Sequence, residues 1–225
     1  GVVDPALEQV FALGDPRKPI SLHRHQDEAL MKALQHRNYI VTTGTGSGKS
    51  LCFFVPIIDR ILTARRAGEP RRTRAIVIYP MNALANSQRE ELEKFIEGCG
   101  LPLEMRPTFA RYTGQEQESE RKQVASNAPD IILTNFMMLE LLMTRQDDLD
   151  RQVIENMRGL EFLVLDELHT YRGRQGADVA MLVRRVRERM GSANMLCIGT
   201  SATMASGEED AGRKAVAGVG STLFG

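Results

Sequence analysis

The octapeptide Thr43-Gly44-Thr45-Gly46-Ser47-Gly48-Lys49-Ser50 decides the fold class of this chain. It follows the apolar run Tyr39–Val41, which predicts a strand, and it opens a segment with helical periodicity. Glycines at such a junction let successive backbone N–H groups turn inward around phosphate oxygens, and the following helix adds its N-terminal dipole. Lys49 supplies a point charge and the Ser50 hydroxyl a ligand for Mg²⁺. The octapeptide therefore predicts a phosphate-binding loop.

The match to the usual form of this loop is incomplete, because that form has a glycine where this chain has Thr43. A glycine-rich turn that merely ends in Lys-Ser is the alternative interpretation. Gly46, Gly48 and the pair Lys49-Ser50 nevertheless stand where bound phosphates require them. With a strand before and a helix after, the phosphate-binding interpretation is favoured.

Four further apolar runs predict strands, at residues 75–79, 131–133, 162–165 and 195–198. Each run is apolar throughout, which is typical of strands buried on both faces of a parallel sheet. Helical patterns lie around them, at about residues 25–36, 49–67, 83–98, 116–126, 136–144 and 176–190. This alternation predicts an α/β fold, a mostly parallel sheet with helices on both faces, whose ligands lie at the carboxyl ends of the strands.

The composition is that of one globular domain, spanning residues 1–225, and its formal net charge is zero. A neutral chain has no global field for a polyanion, so any nucleic-acid contact must be local. The basic segment Arg65–Arg74 predicts an exposed loop, either simply solvated or touching phosphate.

The three cysteines are far apart and form no C-x-x-C pattern, so neither a disulfide framework nor a zinc site is indicated. We expect a reducing, cytoplasmic location. No apolar run approaches the roughly 20 residues that span a bilayer, and no secretory leader pattern stands at the N-terminus.

A second chemical signal is Asp166-Glu167-Leu168-His169, directly after the apolar run 162–165. A carboxylate at the end of a buried strand can reach a metal held by the phosphate loop, and its neighbour can orient or deprotonate a water. Alone, such a strand end is more often a solvated turn. Together with the loop it predicts nucleoside triphosphate hydrolysis, in which Asp166 holds Mg²⁺ through water, Glu167 is the catalytic base and Lys49 binds the phosphates.

The third signal is Thr200-Ser201-Ala202-Thr203, after the last apolar run. Small hydroxyl side chains there can hydrogen-bond the Asp-Glu strand end and sense the γ-phosphate. A lone tetrapeptide of this kind indicates nothing, but its order and spacing after the other two signals give it weight.

These segments resemble the first RecA-like domain of superfamily 2 (DEAD/DEAH-like, DExH) helicases, over nearly the whole chain. Thr43–Ser50 is similar to motif I, Asp166–His169 to motif II and Ser201–Thr203 to motif III. The resemblance implies ATP and Mg²⁺ as cofactors, with Ser50 and Asp166 on the metal. It also implies that four residues couple the ATP site to the nucleic acid: His169, Ser201, Ala202 and Thr203.

Gln26 stands where the family has a glutamine that binds the edge of adenine. A side-chain amide has both a donor and an acceptor, so it can pair with the acceptor and the donor of that edge. An ordinary surface helix residue is the alternative for Gln26.

The resemblance also implies contacts with the sugar-phosphate backbone of one nucleic-acid strand through neutral groups, which agrees with zero net charge. Asn82 and Thr134 have an alternative as helix caps. The residues concerned are Pro80, Asn82, Ala83, Gln88, Thr113, Gly114, Thr134 and Asn135.

A narrower resemblance is carried by His169-Thr170-Tyr171-Arg172-Gly173 and the arginine-rich helix up to Arg185, which are similar to the Lhr-like and RecQ-four-like DNA helicases. It implies a single-stranded DNA track, 3′–5′ unwinding, and a role in DNA repair or phage defence. The arginines could equally be a solvated helix face.

Three alternatives remain: a double-stranded DNA translocase of a restriction or defence complex, an RNA helicase, or a non-motor P-loop protein such as a kinase. We find no second RecA-like domain and no arginine-rich motif to complete the ATP site within residues 1–225. We expect the partner domain in the same or another chain, and little hydrolysis by these residues alone.

Overall fold

The computed structural model describes residues 3–44, 46–145, 147–171, 174–202, 218 and 220–224. Two residues of the sequence-predicted site, Thr45 and Thr203, lie outside the described residues, as do Arg172 and Gly173 of the narrower resemblance.

Six parallel strands form the central sheet in the order β3-β8-β7-β4-β6-β5, and a short antiparallel hairpin, β1-β2, precedes them. The strands are β1 (Ala12–Leu13), β2 (Lys18–Pro19), β3 (Tyr39–Thr43), β4 (Ala75–Tyr79), β5 (Phe109–Arg111), β6 (Ile131–Asn135), β7 (Phe162–Leu165) and β8 (Leu196–Ala202).

Residues 218 and 220–224 are helical, and eight α-helices precede them among the described residues. They are α1 (Leu7–Val10), α2 (Arg24–Leu34), α3 (Leu51–Arg66), α4 (Asn82–Ile96), α5 (Glu118–Asn127), α6 (Phe136–Thr144), α7 (Asp148–Asn156) and α8 (Arg174–Arg189). A 3₁₀ turn spans Leu168–Thr170.

Two hydrophobic cores, one on each face of the sheet, explain why the strands are apolar throughout. On β4, Val77 packs into the core that contains α1 to α4, and its neighbour Ile78 packs into the core that contains α5 to α8. Every residue of β4 is buried, since successive side chains enter opposite cores. The predicted α/β fold with helices on both faces is confirmed.

The sequence patterns missed several short elements. Strand β5 has only three residues, all half-buried, and pairs with β6 alone as the edge of the sheet. An edge strand needs no continuous apolar run, so periodicity gives it no signal. Helix α7 was also missed; its N-terminus is capped by the Asp147 side chain, which accepts from Leu149 N and Asp150 N.

The expectation of an exposed basic loop at Arg65–Arg74 is only partly correct, because residues 66–68, 70 and 71 are exposed but Arg65 and Arg74 are not. Arg65 belongs to α3 and pairs with the buried Asp130 at 2.7 Å, and Arg74 pairs with Glu161. The side chains of Arg65 and Arg74 are only 8% and 3% exposed. Buried cations need paired carboxylates, so these arginines hold the amino ends of the strands together and are not available to phosphate.

No helix among the described residues combines the length and the apolar character needed to cross a bilayer.

Candidate nucleotide site and nucleic-acid interface

Strand order places the three chemical signals at one edge of the sheet. Strand β8 lies between β3 and β7, with Val41 opposite Thr200 on one side and Gly199 opposite Leu165 on the other. All strands of the sheet are parallel, so the loop after β3, the carboxylates after β7 and the end of β8 meet at the same edge. The sequence placed these segments at strand ends, and the strand order makes them neighbours.

The phosphate loop has the backbone that its glycines predict. Gly46 and Gly48 have φ values of 75° and 72°, a region that favours glycine. The Lys49 ammonium donates to the carbonyls of Thr43 and Gly44 at 3.2 and 3.1 Å, so its charge lies at the loop. The hydroxyls of Thr43 and Ser47 are 2.6 Å apart and hydrogen-bonded. Thr43 thus closes the loop through its side chain.

Gln26 is a buried tie between α2 and the phosphate loop. It is 2% exposed, its Nε2 donates to Gly48 O at 3.0 Å, and its Oε1 accepts from His23 N at 2.8 Å. The alternative of an ordinary surface residue is therefore wrong. Each polar atom of the amide keeps capacity for a second hydrogen bond, so the adenine contact stays a prediction.

The hydrogen bond between Gln26 and Gly48 predicts that two alanine substitutions in the phosphate loop lower the free energy of unfolding by different amounts. A Cβ on Gly48 would stand 2.7 Å from Gln26 Nε2, whereas a Cβ on Gly46 would meet nothing within 4 Å. Both variants carry the left-handed backbone cost of about 1–2 kcal/mol. Gly48→Ala should lose a further ~1 kcal/mol of unfolding free energy, because the Gln26 hydrogen bond is displaced. Urea denaturation measures the difference.

The matched control for that prediction is Gly46→Ala, which differs only in having no neighbour to meet. In a Gln26→Ala background, where that hydrogen bond is already absent, Gly48→Ala and Gly46→Ala should lower the free energy of unfolding by the same amount. Equal destabilisation by the two alanines would show that Gln26 does not brace the loop.

The two carboxylates after β7 are held by β8. The Thr200 hydroxyl donates to Asp166 Oδ1 and accepts from Glu167 N at 3.1 Å. Burial raises the pKa of the Asp166 carboxyl, and the Thr200 hydrogen bond opposes that rise. Glu167 has a φ of 53° and a ψ of 52°, a left-handed conformation that non-glycine residues rarely adopt.

His169 lies between Glu167 and the end of β8. Its Nδ1 is 3.1 Å from Glu167 Oε2 and accepts from Ala202 N at 3.3 Å. A ring nitrogen that accepts a hydrogen bond carries no proton. The Nδ1 atom of His169 can therefore accept from Ala202 N or donate to Glu167, but it cannot do both at once. Ser201 is buried, and its hydroxyl donates to the Ala202 carbonyl at 3.3 Å. The structure thus brings three of the four coupling candidates together, and Thr203 lies outside the described residues.

Two buried hydroxyls near Asp166, those of Tyr79 and Tyr171, have no hydrogen-bond partner among the described residues. Glu167 Oε2 has no hydrogen bond there either, but it lies 3.1 Å from His169 Nδ1. Burial, and then the charge of Asp166, raises the pKa of both tyrosines, which keeps their hydroxyls protonated. Buried polar atoms usually have a partner. The surroundings of Asp166 therefore offer acceptor oxygens, from the carboxylates and the two hydroxyls, to the water molecules of a hydrated cation.

These residues fit Mg²⁺ held jointly with a nucleotide. No group of three or more His, Cys, Asp or Glu side chains in the described part of the chain could hold a metal alone. Mg²⁺ in phosphate sites takes one or two protein ligands and completes its shell with phosphates and water. Ser50 at the start of α3 and Asp166 at the end of β7 would be those ligands, as predicted from the sequence.

The predicted nucleic-acid contacts lie at the other half of the same sheet edge. Asn82 is the first residue of α4, and Asn135 the last residue of β6 and the cap of α6. Asn135 Nδ2 donates to Asn82 Oδ1 at 2.6 Å, which holds the starts of α4 and α6 side by side. Pro80 precedes α4, while Ala83 is exposed and Gln88 half-buried within it. Two adjacent helix N-termini are a suitable place for a phosphate backbone.

Three of the predicted contact residues, Thr113, Gly114 and Thr134, make hydrogen bonds inside the protein. Thr134 is 0% exposed and its hydroxyl donates to Tyr112 O at 2.6 Å. Thr113 and Gly114 donate their N–H groups to Glu116 Oε2, each at 2.8 Å, and the Thr113 hydroxyl donates to Glu116 Oε1 at 2.9 Å. Thr134 caps no helix, so that alternative is wrong for it. Direct phosphate contacts by these residues stay predictions.

Sequence reasoning missed residues that connect the loops. His25 Nε2 lies 3.1 Å from Ser47 O, a second tie from α2 to the phosphate loop. Arg111 donates to Glu116 Oε1 at 2.8 Å and to Asn86 Oδ1 at 2.5 Å, which joins the loop after β5 to α4. The carboxylate three residues after Thr113 was a local signal that could have been noticed. Ser47, the partner of His25, and Asn86, the second partner of Arg111, are 22 and 25 residues away, which is too distant for a local signal.

Comparisons with known proteins agree with this site. The family model described as DEAD/DEAH box helicase matches residues 23–211. The chain is 31% identical over 204 residues to the uncharacterized ATP-dependent helicase YprA of Bacillus subtilis, covering 90% of this chain and 25% of YprA. It is 30% identical over 166 residues to the ATP-dependent helicase HRQ1 of Saccharomyces cerevisiae, covering 74% of this chain and 14% of HRQ1.

A solved structure, of the DUF1998 helicase MrfA bound to DNA and AMPPNP, superimposes with a TM-score of 0.71 at 25% identity. The match covers 99% of this chain and 28% of MrfA. The chain thus spans a quarter or less of the length of these two curated relatives. The family model covers most of the sequence and includes both halves of the site, so this chain belongs to the DEAD/DEAH box helicase family.

Proposed function

We propose that this chain is the ATP-binding RecA-like domain of an ATP-dependent DNA helicase. One observation carries the proposal: a single sheet edge holds the phosphate loop and the Asp166-Glu167 pair at β3, β8 and β7, and the Asn82–Asn135 helix starts at β4 and β6. A motor needs both sites on one rigid element, so that a change at the nucleotide reaches the nucleic acid.

In the proposed reaction, the loop N–H groups and Lys49 bind the triphosphate, and Ser50 and Asp166 hold Mg²⁺. The cation neutralises charge that develops on the phosphate oxygens. Glu167 accepts the proton of the attacking water, and its Oε2 is available for that proton when the neighbouring His169 Nδ1, 3.1 Å away, is unprotonated. Gln26 selects adenine. His169 and the end of β8 couple the nucleotide-bound state of the ATP site to the nucleic acid.

The nucleic acid is proposed to be single-stranded DNA, tracked 3′–5′ and unwound, in repair or phage defence. DNA is favoured because the matched MrfA structure is described as bound to DNA. Polarity rests on the resemblance to Lhr-like and RecQ-four-like helicases. A double-stranded DNA translocase and an RNA helicase are the alternatives. A second RecA-like domain, in the same or another chain, is the proposed partner, and the proposed location is cytoplasmic.

The test compares nucleic acids of equal length in ATP turnover and strand displacement by the natural full-length protein. We expect single-stranded DNA to stimulate turnover, and a duplex with a 3′ tail to be unwound faster than one with a 5′ tail. Stimulation by duplex DNA without strand separation would identify a translocase. Stimulation by RNA alone would identify an RNA helicase, and no stimulation by any nucleic acid would refute a motor function.

A further inference from the structure

Thr200 occupies the central position of the nucleotide half of the site. It lies on β8, between the strand that leads to the phosphate loop and the strand that leads to the carboxylates, and it is 0% exposed. Its backbone pairs with Val41 of β3. It precedes Ser201–Thr203, the segment for which the resemblance implies a coupling role.

The single hydroxyl of Thr200 makes two hydrogen bonds of opposite sense. It donates its proton to Asp166 Oδ1, and its oxygen accepts the N–H of Glu167 at 3.1 Å. One oxygen atom therefore connects the side chain of the proposed metal ligand to the backbone of the proposed base. The partners are 34 and 33 residues away in sequence, so only the strand order creates this bridge.

Each of the two hydrogen bonds of Thr200 compensates an unfavourable feature of its partner residue. Asp166 is half-buried, and a carboxylate that has lost part of its hydration keeps its charge only where donors or cations compensate that loss. The backbone of Glu167 has a left-handed conformation, so its N–H does not join the hydrogen bonds between strands. Without another acceptor this partly buried donor would be unsatisfied. Thr200 supplies a donor to the first residue and an acceptor to the second.

We propose that Thr200 is a positioning residue that fixes Asp166 for Mg²⁺ and Glu167 for water activation through one bridging hydroxyl. This inference rests on the proposed ATP hydrolysis and deepens it. Two residues further along the same strand, Ala202 N donates to His169 Nδ1 at 3.3 Å. Strand β8 therefore contacts the turn 166–169 at both ends. Thr200 contacts the end that contains Asp166 and Glu167, the proposed metal ligand and base.

The test replaces Thr200 by valine, which keeps the shape of the side chain and removes the hydroxyl. ATP affinity is measured by calorimetry in Mg²⁺ and in EDTA, and turnover is measured separately. We expect unchanged affinity in EDTA, because the phosphate loop is intact. The Mg²⁺ concentration for half-maximal binding should rise about 10–100-fold, the usual cost of losing a partner that orients a metal ligand, and kcat should fall more than KM rises.

Two comparisons separate this role from general packing. Thr200→Ser retains the hydroxyl and should restore both the Mg²⁺ dependence and kcat to within a few-fold of the wild type. Thr73→Val is the matched control, since Thr73 is also 0% exposed and its hydroxyl donates to a carbonyl, Pro129 O, at 2.7 Å. Thr73→Val should lower stability without changing the Mg²⁺ dependence.

Should Thr200→Val fail to fold, Thr200→Ala removes the same hydroxyl without placing a methyl group against Asp166, and the same result is expected. A folded Thr200→Val or Thr200→Ala protein with wild-type Mg²⁺ dependence and kcat overturns the inference. A serine variant as impaired as the valine variant also overturns it, because the methyl group would then be responsible. Absence of ATP binding by the wild type would instead refute the proposed function itself.

Discussion

Replacing Glu167 with glutamine is expected to lower ATP turnover by about 10²–10⁴-fold while ATP and Mg²⁺ still bind. The amide has the shape of the carboxylate but cannot accept the proton of the attacking water. Glu167 does not contribute its side chain to the phosphate loop, and its Oε2 is buried without a hydrogen bond among the described residues. The change should therefore affect kcat and leave nucleotide affinity nearly unchanged. Steady-state turnover and calorimetry with ATP and Mg²⁺ measure the two quantities.

Asp166→Asn provides the contrast, because Asp166 is assigned to the metal. That variant should lose turnover and also most of the gain in ATP affinity that Mg²⁺ provides. Glu8→Gln, on the exposed side of α1, is the control for loss of one negative charge and should behave as the wild type. If Glu167→Gln retains turnover within a few-fold, another residue must activate the water.

Replacing Lys49 with alanine is expected to weaken ATP binding by about 10–150-fold or more. The basis is a hydrogen bond to a charged group, which contributes roughly 1.5–3 kcal/mol. Lys49 is the cation of the phosphate loop, and its ammonium already lies within 3.2 Å of the loop carbonyls of Thr43 and Gly44. Calorimetry with ATP, ADP and adenosine measures the loss, which should be large for ATP and absent for adenosine.

Lys32→Ala removes the same charge from an exposed position on α2 and should leave ATP affinity unchanged. Equal ATP affinity of the Lys49→Ala variant and the wild type would refute the phosphate-loop assignment. An equal loss for adenosine and ATP would show that Lys49 supports the fold of the loop and not the phosphates.

Local patterns determined the fold class and the identity of the nucleotide residues. The glycines of residues 44–48 permit a left-handed backbone that other residues disfavour, and the structure shows it at Gly46 and Gly48. Apolar runs bounded by polar turns predicted four of the other five strands of the central sheet, because a strand buried on both faces has to be apolar throughout. Asp166-Glu167 could be assigned to a strand end for the same reason.

Patterns failed where a residue acts through a partner distant in sequence. The basic segment Arg65–Arg74 has the composition of a solvated loop, yet Arg65 pairs with Asp130, 65 residues away. Gln26 has the sequence context of a surface helix position, yet it is buried against Gly48, 22 residues away. Composition describes what a side chain can do, and the partner it finds depends on the path of the chain.

The sequence by itself therefore determined that this chain is an α/β domain with a phosphate loop, a carboxylate pair and neutral polar groups at strand ends. The tertiary structure alone decided which of those ends are neighbours. Because β8, the last strand among the described residues, inserts between β3 and β7, Thr200 reaches Asp166 and Glu167. Hydrogen bonds act over about 3 Å, so a bridge between residues more than thirty positions apart exists only once strand order is fixed.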